Sequence, residues 1–289
     1  MTNDLQRIDH RSENGIWTLF QRRPPAVLAP YVRQLQGFFE VGGRPVLRRE
    51  VPTFGFPLIL VLGPGFTLHE RENPARWRPL ARSFLAGLHE EHALVGSEGT
   101  SLCMQVDFTP LGAWRFLRCD LQALSHRVLD LEELLGRGAA ELEARLAEAP
   151  DWPARFALLE EILSARILEA PAEDLRVAAA LTAIRRSGGN VPVERLADAL
   201  DCSRKHLGAL FKRQVGLPPK TVARLARFEA ALQRLTAGRV ASLAELALDC
   251  GYADQAHFNR DFRGFAGETP RTILARTLPD GTGTLEALG

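Results

Sequence analysis

Two short stretches hold the side chains with the most definite chemistry. Arg204, Lys205, Lys212 and Arg213 fall in the first, and Gln255, Asn259, Arg260 and Arg263 in the second. Arg, Asn and Gln carry paired hydrogen-bonding groups that match base edges, and Lys and Arg neutralise phosphate. The stretches are copies of one pattern. Leu207 falls on Phe258, Phe211 on Phe262, Gly216 on Gly267 and Pro219 on Pro270 at an offset of 51, while Ala197 and Ala247 differ by 50. The odd residue is absorbed in a turn between two helices.

Each copy reads as a short helix with a small residue in it, a tight turn, a second helix and a Gly-containing stop, which is the helix-turn-helix pattern. Ala197 and Ala247 let the helices cross closely, Asp201 and Gly251 suit the turn, and Ser203 and Asp254 cap the second helix. Leu207/Phe211 and Phe258/Phe262 pin that helix to a core and leave its opposite face free. Between the copies, Pro218-Pro219 opens a helix running to about Ala237 and closed by Gly238. Such a rod is roughly 27 Å long. Two recognition helices held by it would meet a duplex about one turn apart, near 34 Å.

These residues closely resemble the DNA-binding domain of the AraC/XylS family of transcription regulators. The resemblance runs over roughly Asp174 to Arg276. It rests on Ser203, Leu207, Phe211 and Gly216, on Arg227 and Ala231 between the copies, and on Gly251-Tyr252, Asp254, Phe258, Arg260, Phe262, Gly267 and Thr269-Pro270. It implies a seven-helix double helix-turn-helix domain with base contacts from Lys205, Gly208 and Ala209, then Gln255, Ala256, Asn259 and Arg260. Ser203, Arg204, Lys212 and Arg263 complete the expected DNA-binding set. There are two departures. Gly208 and Ala209 have no side chain to hydrogen-bond a base, which moves the load to Arg204, Lys205 and the second copy. Ile273 and Leu274 stand where the family commonly has an aromatic and an Arg.

The rest of the chain has another character. Of 289 residues 46% are apolar and 25% charged, with 36 basic and 35 acidic side chains for a net charge of +1. The charge is uneven: residues 174–276 hold 17 Lys/Arg against 10 Asp/Glu, and all three lysines, Lys205, Lys212 and Lys220, lie there. That segment suits a polyanion partner. No apolar run is long enough to span a bilayer and Met1 to His10 lacks a secretory apolar region, so a cytoplasmic location without membrane association is expected. Cys103, Cys119, Cys202 and Cys250 lack the spacing of a zinc site and read as reduced and packed.

The expected fold is α+β, in four segments. Residues 1–108 form an antiparallel β-rich sensor or dimerisation domain, a cupin-like barrel or sheet. Its strands are read at Ile16–Phe20, Gln36–Val41, Pro57–Leu62, Arg82–Leu88, Ala93–Val95 and Ser101–Phe108. Residues 109–170 form a helical connector, 171–276 the all-α double helix-turn-helix domain, and 277–289 a tail. In the connector, Trp152, Phe156, Leu159, Leu163 and Ile167 make a helical stripe opened by Asp151 and Pro153. That stripe either dimerises or couples the halves, or covers one face of the sheet.

His89-Glu90-Glu91-His92 is the one tempting metal pattern. It falls in a stretch, Leu85 to Val95, that reads as a hairpin, where residues three apart face opposite ways. A charged turn is the reading taken, and neither a metal nor a cofactor is expected. An effector pocket would draw on Trp17, Phe38, Phe54, Phe56, Phe84 and Phe108, with Glu40, Arg48, Arg82 and Gln105 as polar contacts. The leading expectation is a non-enzymatic, sequence-specific regulator binding double-stranded DNA. A small-molecule effector, a homodimer and a contact with RNA polymerase stay open as partners. The alternatives are a cupin-like metal-dependent enzyme, or an interaction scaffold, fused to a DNA-binding domain.

Overall fold

The computed structural model describes residues 5–12, 15–42, 44–80, 82–238, 240, 242–277 and 284–285. Ten strands come first: β1 Leu5–Ser12, β2 Gly15–Arg22, β3 Val32–Val41, β4 Val46–Glu50, β5 Phe56–Val61, β6 Phe66–His69, β7 Trp77–Leu80, β8 Phe84–Ala86, β9 Ala93–Ser97 and β10 Ser101–Phe108. They make two antiparallel sheets with a contribution from later in the chain. The first has the order β1-β2-β3-β10-β5-β8-β11, where β11 is Val128–Asp130; the second has the order β12-β4-β9-β6-β7, where β12 is Thr284–Leu285. β11 thus reaches the first sheet from within segment 109–170, pairing Leu129 with Leu85, and β12 reaches the second from the tail, pairing with Arg48 and Arg49.

The stretch Leu85 to Val95 is not a hairpin. β8 pairs with β5 and β11, whereas β9 pairs with β4 and β6, so residues 87–92 cross from one sheet to the other. His89 is fixed there by a 2.8 Å contact between its Nδ1 and the Gly87 carbonyl, and His92 lies beside Gly267. Among the described residues no group of three or more His, Cys, Asp or Glu is arranged to hold a metal ion.

Helices follow β10 at once. Thr109 accepts from Gly112 N at 3.1 Å to cap α1 (Pro110–Leu117), and its hydroxyl donates back to the Pro30 carbonyl at 3.0 Å. A 3-10 turn at Leu121–Leu124, α2 (Leu131–Leu135), α3 (Arg137–Glu148) and α4 (Trp152–Leu168) complete the segment. The α4 stripe is spent within the chain. Phe156, Leu159, Leu163 and Ile167 are fully buried, and Trp152 stacks on Phe20 of β2 with ring centroids 4.5 Å apart. Its indole also lies on Gly37 of β3, where no Cβ would fit. The stripe therefore covers a sheet face, and dimerisation through it is set aside.

The C-terminal helices are α5 (Leu175–Arg186), α6 (Val193–Ala199), α7 (Arg204–Val215), α8 (Pro219–Thr236), α9 (Leu243–Asp249), α10 (Gln255–Ala266) and α11 (Pro270–Arg276). Seven helices with α8 central is the expected count and order. Ile273, the departure in α11, is 2% exposed and fills the core as an aromatic would, while Leu274 is exposed. One apolar core runs through both halves of the chain. Among the described residues, no helix is long and apolar enough to cross a membrane.

Candidate nucleic-acid interface

The two helix pairs, α6–α7 and α9–α10, are built alike down to single hydrogen bonds. Ala197 and Ala247 are buried at the crossings, and their carbonyls accept from Cys202 N at 3.1 Å and Tyr252 N at 2.9 Å, which closes each turn. The turn residues Asp201 and Gly251 have φ of 47° and 78°, the left-handed conformation that a tight reversal needs. Ser203 Oγ accepts from His206 N at 3.1 Å and Asp254 Oδ1 accepts from His257 N at 2.6 Å, so each second helix starts on a side-chain cap. Leu207, Phe211, Phe258 and Phe262 are fully buried. Each second helix is consequently held on one face only.

Most of the residues expected to contact DNA are exposed on the other face. Ser203, Arg204, Lys205, Ala209 and Lys212 of the first pair are exposed, with Gly208 half-buried; Gln255, Ala256, Arg260 and Arg263 of the second are exposed. Two residues are less available than their types suggest. Arg204 pairs with Glu194 at 3.1 Å, an exposed pair that phosphate can displace at little cost. Asn259 is half-buried, and its Oδ1 is buried without a hydrogen-bond partner among the described residues. Arg213 is exposed but leans toward the front half, its guanidinium 5.6 Å from the Trp114 ring of α1, so it does not belong to the free face.

Other arginines of the domain are structural. Arg227 donates to the Gly189 carbonyl at 3.0 Å and lies 5.4 Å over the Tyr252 ring, binding the α5–α6 loop to the second turn. Arg224 joins Asp261 of α10 at 2.9 Å and Glu90 of the front half at 3.1 Å, and Arg234 pairs with Asp249 at 3.2 Å. Lys205 and Lys212 of α7 and Arg260 and Arg263 of α10 are exposed, as are Arg185, Arg186, Arg195, Lys220 and Arg271 elsewhere in the domain.

Sequence patterns gave no hint of how the front half holds these helices. Ser125 Oγ donates to the Gly216 carbonyl at 2.7 Å, at the end of α7. Arg49 Nη1 donates to the Ala266 carbonyl at 3.0 Å, at the end of α10. Arg33 of β3 adds an ion pair to Glu229 of α8 at 2.6 Å. The second helix of each pair thus has its C-terminal carbonyls, the negative end of its dipole, engaged by the front half.

Beside these contacts a cleft of about 1260 Å³ opens between the sheets, with α8 and α11 as part of its wall. Of the residues expected in an effector pocket, Phe38, Phe84, Arg48 and Gln105 line it. Phe54, Phe56 and Phe108 are instead buried in the main core, Trp17 stacks on His10, and Arg82 is on the surface paired with Glu132. Arg48 bridges the sheets to buried Glu40 at 3.3 Å. Cys103, on the cleft wall, has its thiol pushed up to about 12 by burial and is a neutral, apolar part of that wall.

Comparison with known proteins agrees with the built geometry. Residues 196–276 match the family model of a helix-turn-helix domain. XylDLEGF operon transcriptional activator 1 of Pseudomonas putida is 34% identical over 89 residues, which is 30% of this chain and 27% of that protein. XylDLEGF operon transcriptional activator 3 of the same organism is 33% identical over 89 residues, with the same shares of 30% and 27%. The match spans about a quarter of the length of these relatives. Among solved structures, ToxT from Vibrio cholerae aligns at 11% identity and a TM-score of 0.45, over 80% of this chain and 96% of that one. A probable AraC family transcriptional regulator from Rhodopseudomonas palustris aligns at 27% identity and a TM-score of 0.33, over 37% of this chain and 100% of that one.

Proposed function

Taking as premise that the C-terminal domain is a helix-turn-helix domain of the AraC/XylS type, we propose that the protein is a sequence-specific regulator of transcription that binds double-stranded DNA in the cytoplasm, under the control of a small molecule held by its front half. The observation that carries the reading is the matched pair of second helices. α7 and α10 are capped alike and buried alike, and each turns an exposed basic face outward, to which α10 adds the exposed amide of Gln255.

In this reading residues 171–276 are the DNA-binding unit. α8, eighteen residues long and so about 27 Å, spaces α7 and α10 for neighbouring major-groove turns. Gln255 and Arg260 are the base readers of α10, since amide and guanidinium forks distinguish A from G, and Arg204 and Lys205 those of α7, while Lys212 and Arg263 neutralise phosphate. Gly208 and Ala209 let α7 approach the bases closely but read at most a thymine methyl, so α10 sets most of the sequence preference.

Control by the front half has a physical route. The cleft wall includes Glu229, Leu232 and Gln233 of α8 and Ile273 of α11, so an occupant at that end of the cleft touches both halves at once. Arg49 and Ser125 hold the ends of α10 and α7 from two different elements of the front half. A ligand that binds one arrangement of the halves better than another shifts the spacing of the recognition helices by that difference in affinity.

The reading is tested by titrating labelled duplex DNA at several salt concentrations. A steep linear fall of log affinity with log salt is expected, with a shallower slope for Lys212→Ala. Affinity that ignores salt would remove DNA as the partner.

A further inference from the structure

The inner face of the seven-stranded sheet presents the cleft with rows in register. Leu19, Phe38 and Cys103 lie across β2, β3 and β10 in one row, and Gln21, Gln36 and Gln105 in the next. Beyond the amides, Asp107 of β10 stands opposite Gln34, on the side facing α8. The facing sheet adds an apolar patch beside Arg48, Glu50 and His69. Phe66 and Leu68 of β6 and Leu80 of β7 join Phe84 in a small cluster separate from the main core, with Phe66 and Phe84 in edge contact at 6.3 Å. The cleft is therefore amphipathic: an aromatic and aliphatic floor, an amide row, then a carboxylate.

The charges near that row are mostly spent. Arg48 is held by Glu40 at 3.3 Å, Arg33 by Glu229 at 2.6 Å, and Arg49 donates to the Ala266 carbonyl at 3.0 Å. Asp107 differs. The partner that binds it is a neutral amide, Gln105 Nε2 at 2.7 Å. Burial pushes its carboxyl up, with Gln105 and the more distant Arg33 opposing and Glu229 reinforcing. A buried carboxylate without a bonded cation is costly and is relieved by one. An anion entering at that level meets the reverse: Arg33 already paired, and Asp107 and Glu229 as repelling neighbours.

We infer that the cleft takes a small organic cation, with an ammonium head seated on Asp107 and the carbonyl oxygens of the glutamine row and an apolar body on Phe38, Phe66 and Phe84. The inference rests on the proposed reading of the cleft as the effector site, and it names the class of effector. An ammonium supplies hydrogen-bond donors to Asp107 and the amide oxygens together. The apolar floor selects an arylalkyl or alkyl chain over a polyol, because desolvating hydroxyl groups against it leaves them unpaired.

The test uses the full chain and two probes of one shape and opposite charge, 2-phenylethylammonium and 3-phenylpropanoate, followed by calorimetry and by thermal unfolding. The ammonium probe is expected to bind and raise the melting temperature at millimolar concentration. The carboxylate should bind at least about tenfold more weakly. Asp107→Asn, which keeps the shape and loses the charge, should abolish the preference, and Gln36→Leu should weaken the ammonium probe with the preference intact. Equal or tighter binding of the carboxylate, no binding of the ammonium probe, or an unchanged preference in Asp107→Asn overturns the inference. DNA titrations without probe run alongside, so a protein that binds the ammonium but not DNA keeps this inference and loses the regulator reading, and the opposite outcome does the reverse.

Discussion

Arg49, a residue of the strand β4, donates a 3.0 Å hydrogen bond to the carbonyl oxygen of Ala266, the last residue of α10. The two are 217 positions apart in the chain. Arg49 is only 7% exposed, so the bond is made where water cannot replace it. Replacing Arg49 by Ala leaves a helix-terminal carbonyl buried and unsatisfied, at a cost of about 1.5–3 kcal/mol. The equivalent change at the end of α7, Ser125→Ala, removes a neutral bond and should cost about 0.5–1.5 kcal/mol. Urea denaturation of the two variants checks both, and Ser125→Ala proving the more damaging would contradict the ranking.

Gly37 is the point at which the α4 stripe meets the sheet. The Trp152 indole occupies the space of a Cβ, so Gly37→Ala must displace a ring that also stacks on Phe20. A loss of about 1–3 kcal/mol is expected from overpacking, and combining it with Trp152→Leu should recover part of the loss. Additive losses in the double variant would mean that the two residues do not compete for this space.

Asp201 holds the first turn at φ 47°, where the second turn uses Gly251 at 78°. The left-handed conformation is strained for a residue with a Cβ, so Asp201→Gly should gain up to about 1 kcal/mol, less the greater chain entropy that Gly loses on folding. Thermal unfolding measures it. Gly251→Ala should be clearly destabilising, because Asn190 also occupies the space of its Cβ.

His89 sits where the chain crosses between sheets. Burial, outweighing the Gly87 carbonyl contact, keeps its imidazole below the ordinary value of 6.5. With the folded value depressed, the unfolded chain takes up the proton first as pH falls. The stability from the neutral ring is therefore complete above 6.5 and is lost as pH drops through it toward the folded value. Denaturation midpoints should fall between about pH 7.5 and 5.5, and His89→Gln should flatten that fall. A midpoint rising toward acid would reverse the sign and refute the assignment.

How much of this was legible in the sequence differed between the halves for physical reasons. The helix-turn-helix copies could be read residue by residue because their caps, crossings and anchors are local, as at Ser203, Ala197 and Phe211. The front half hid more. β1 (LQRIDHRS) is an edge strand with little apolar alternation, three of the four residues of β7 are exposed, and β4 (VLRRE) spends its arginines on Glu40 and Ala266 rather than on water. Strands stabilised by distant charge pairs carry no period that a sequence window can find. The same cause concealed the contacts from Arg49 and Ser125 to the recognition helices. Resemblance predicted seven helices and the chain has them, but it did not predict that Arg213 would turn to Trp114.

The most direct measurement is selection of bound fragments from the source genome by the purified full-length protein at about 150 mM salt, beside an Arg260→Ala/Gln255→Ala variant, since lower salt inflates non-specific binding. The account predicts a motif with two half-elements about ten base pairs apart, with the element read by α10 degraded in the variant while overall affinity falls by about 1–3 kcal/mol per lost contact. Fragments enriched without a shared motif, or the same motif recovered unchanged by the variant, would contradict base reading by the exposed face of α10.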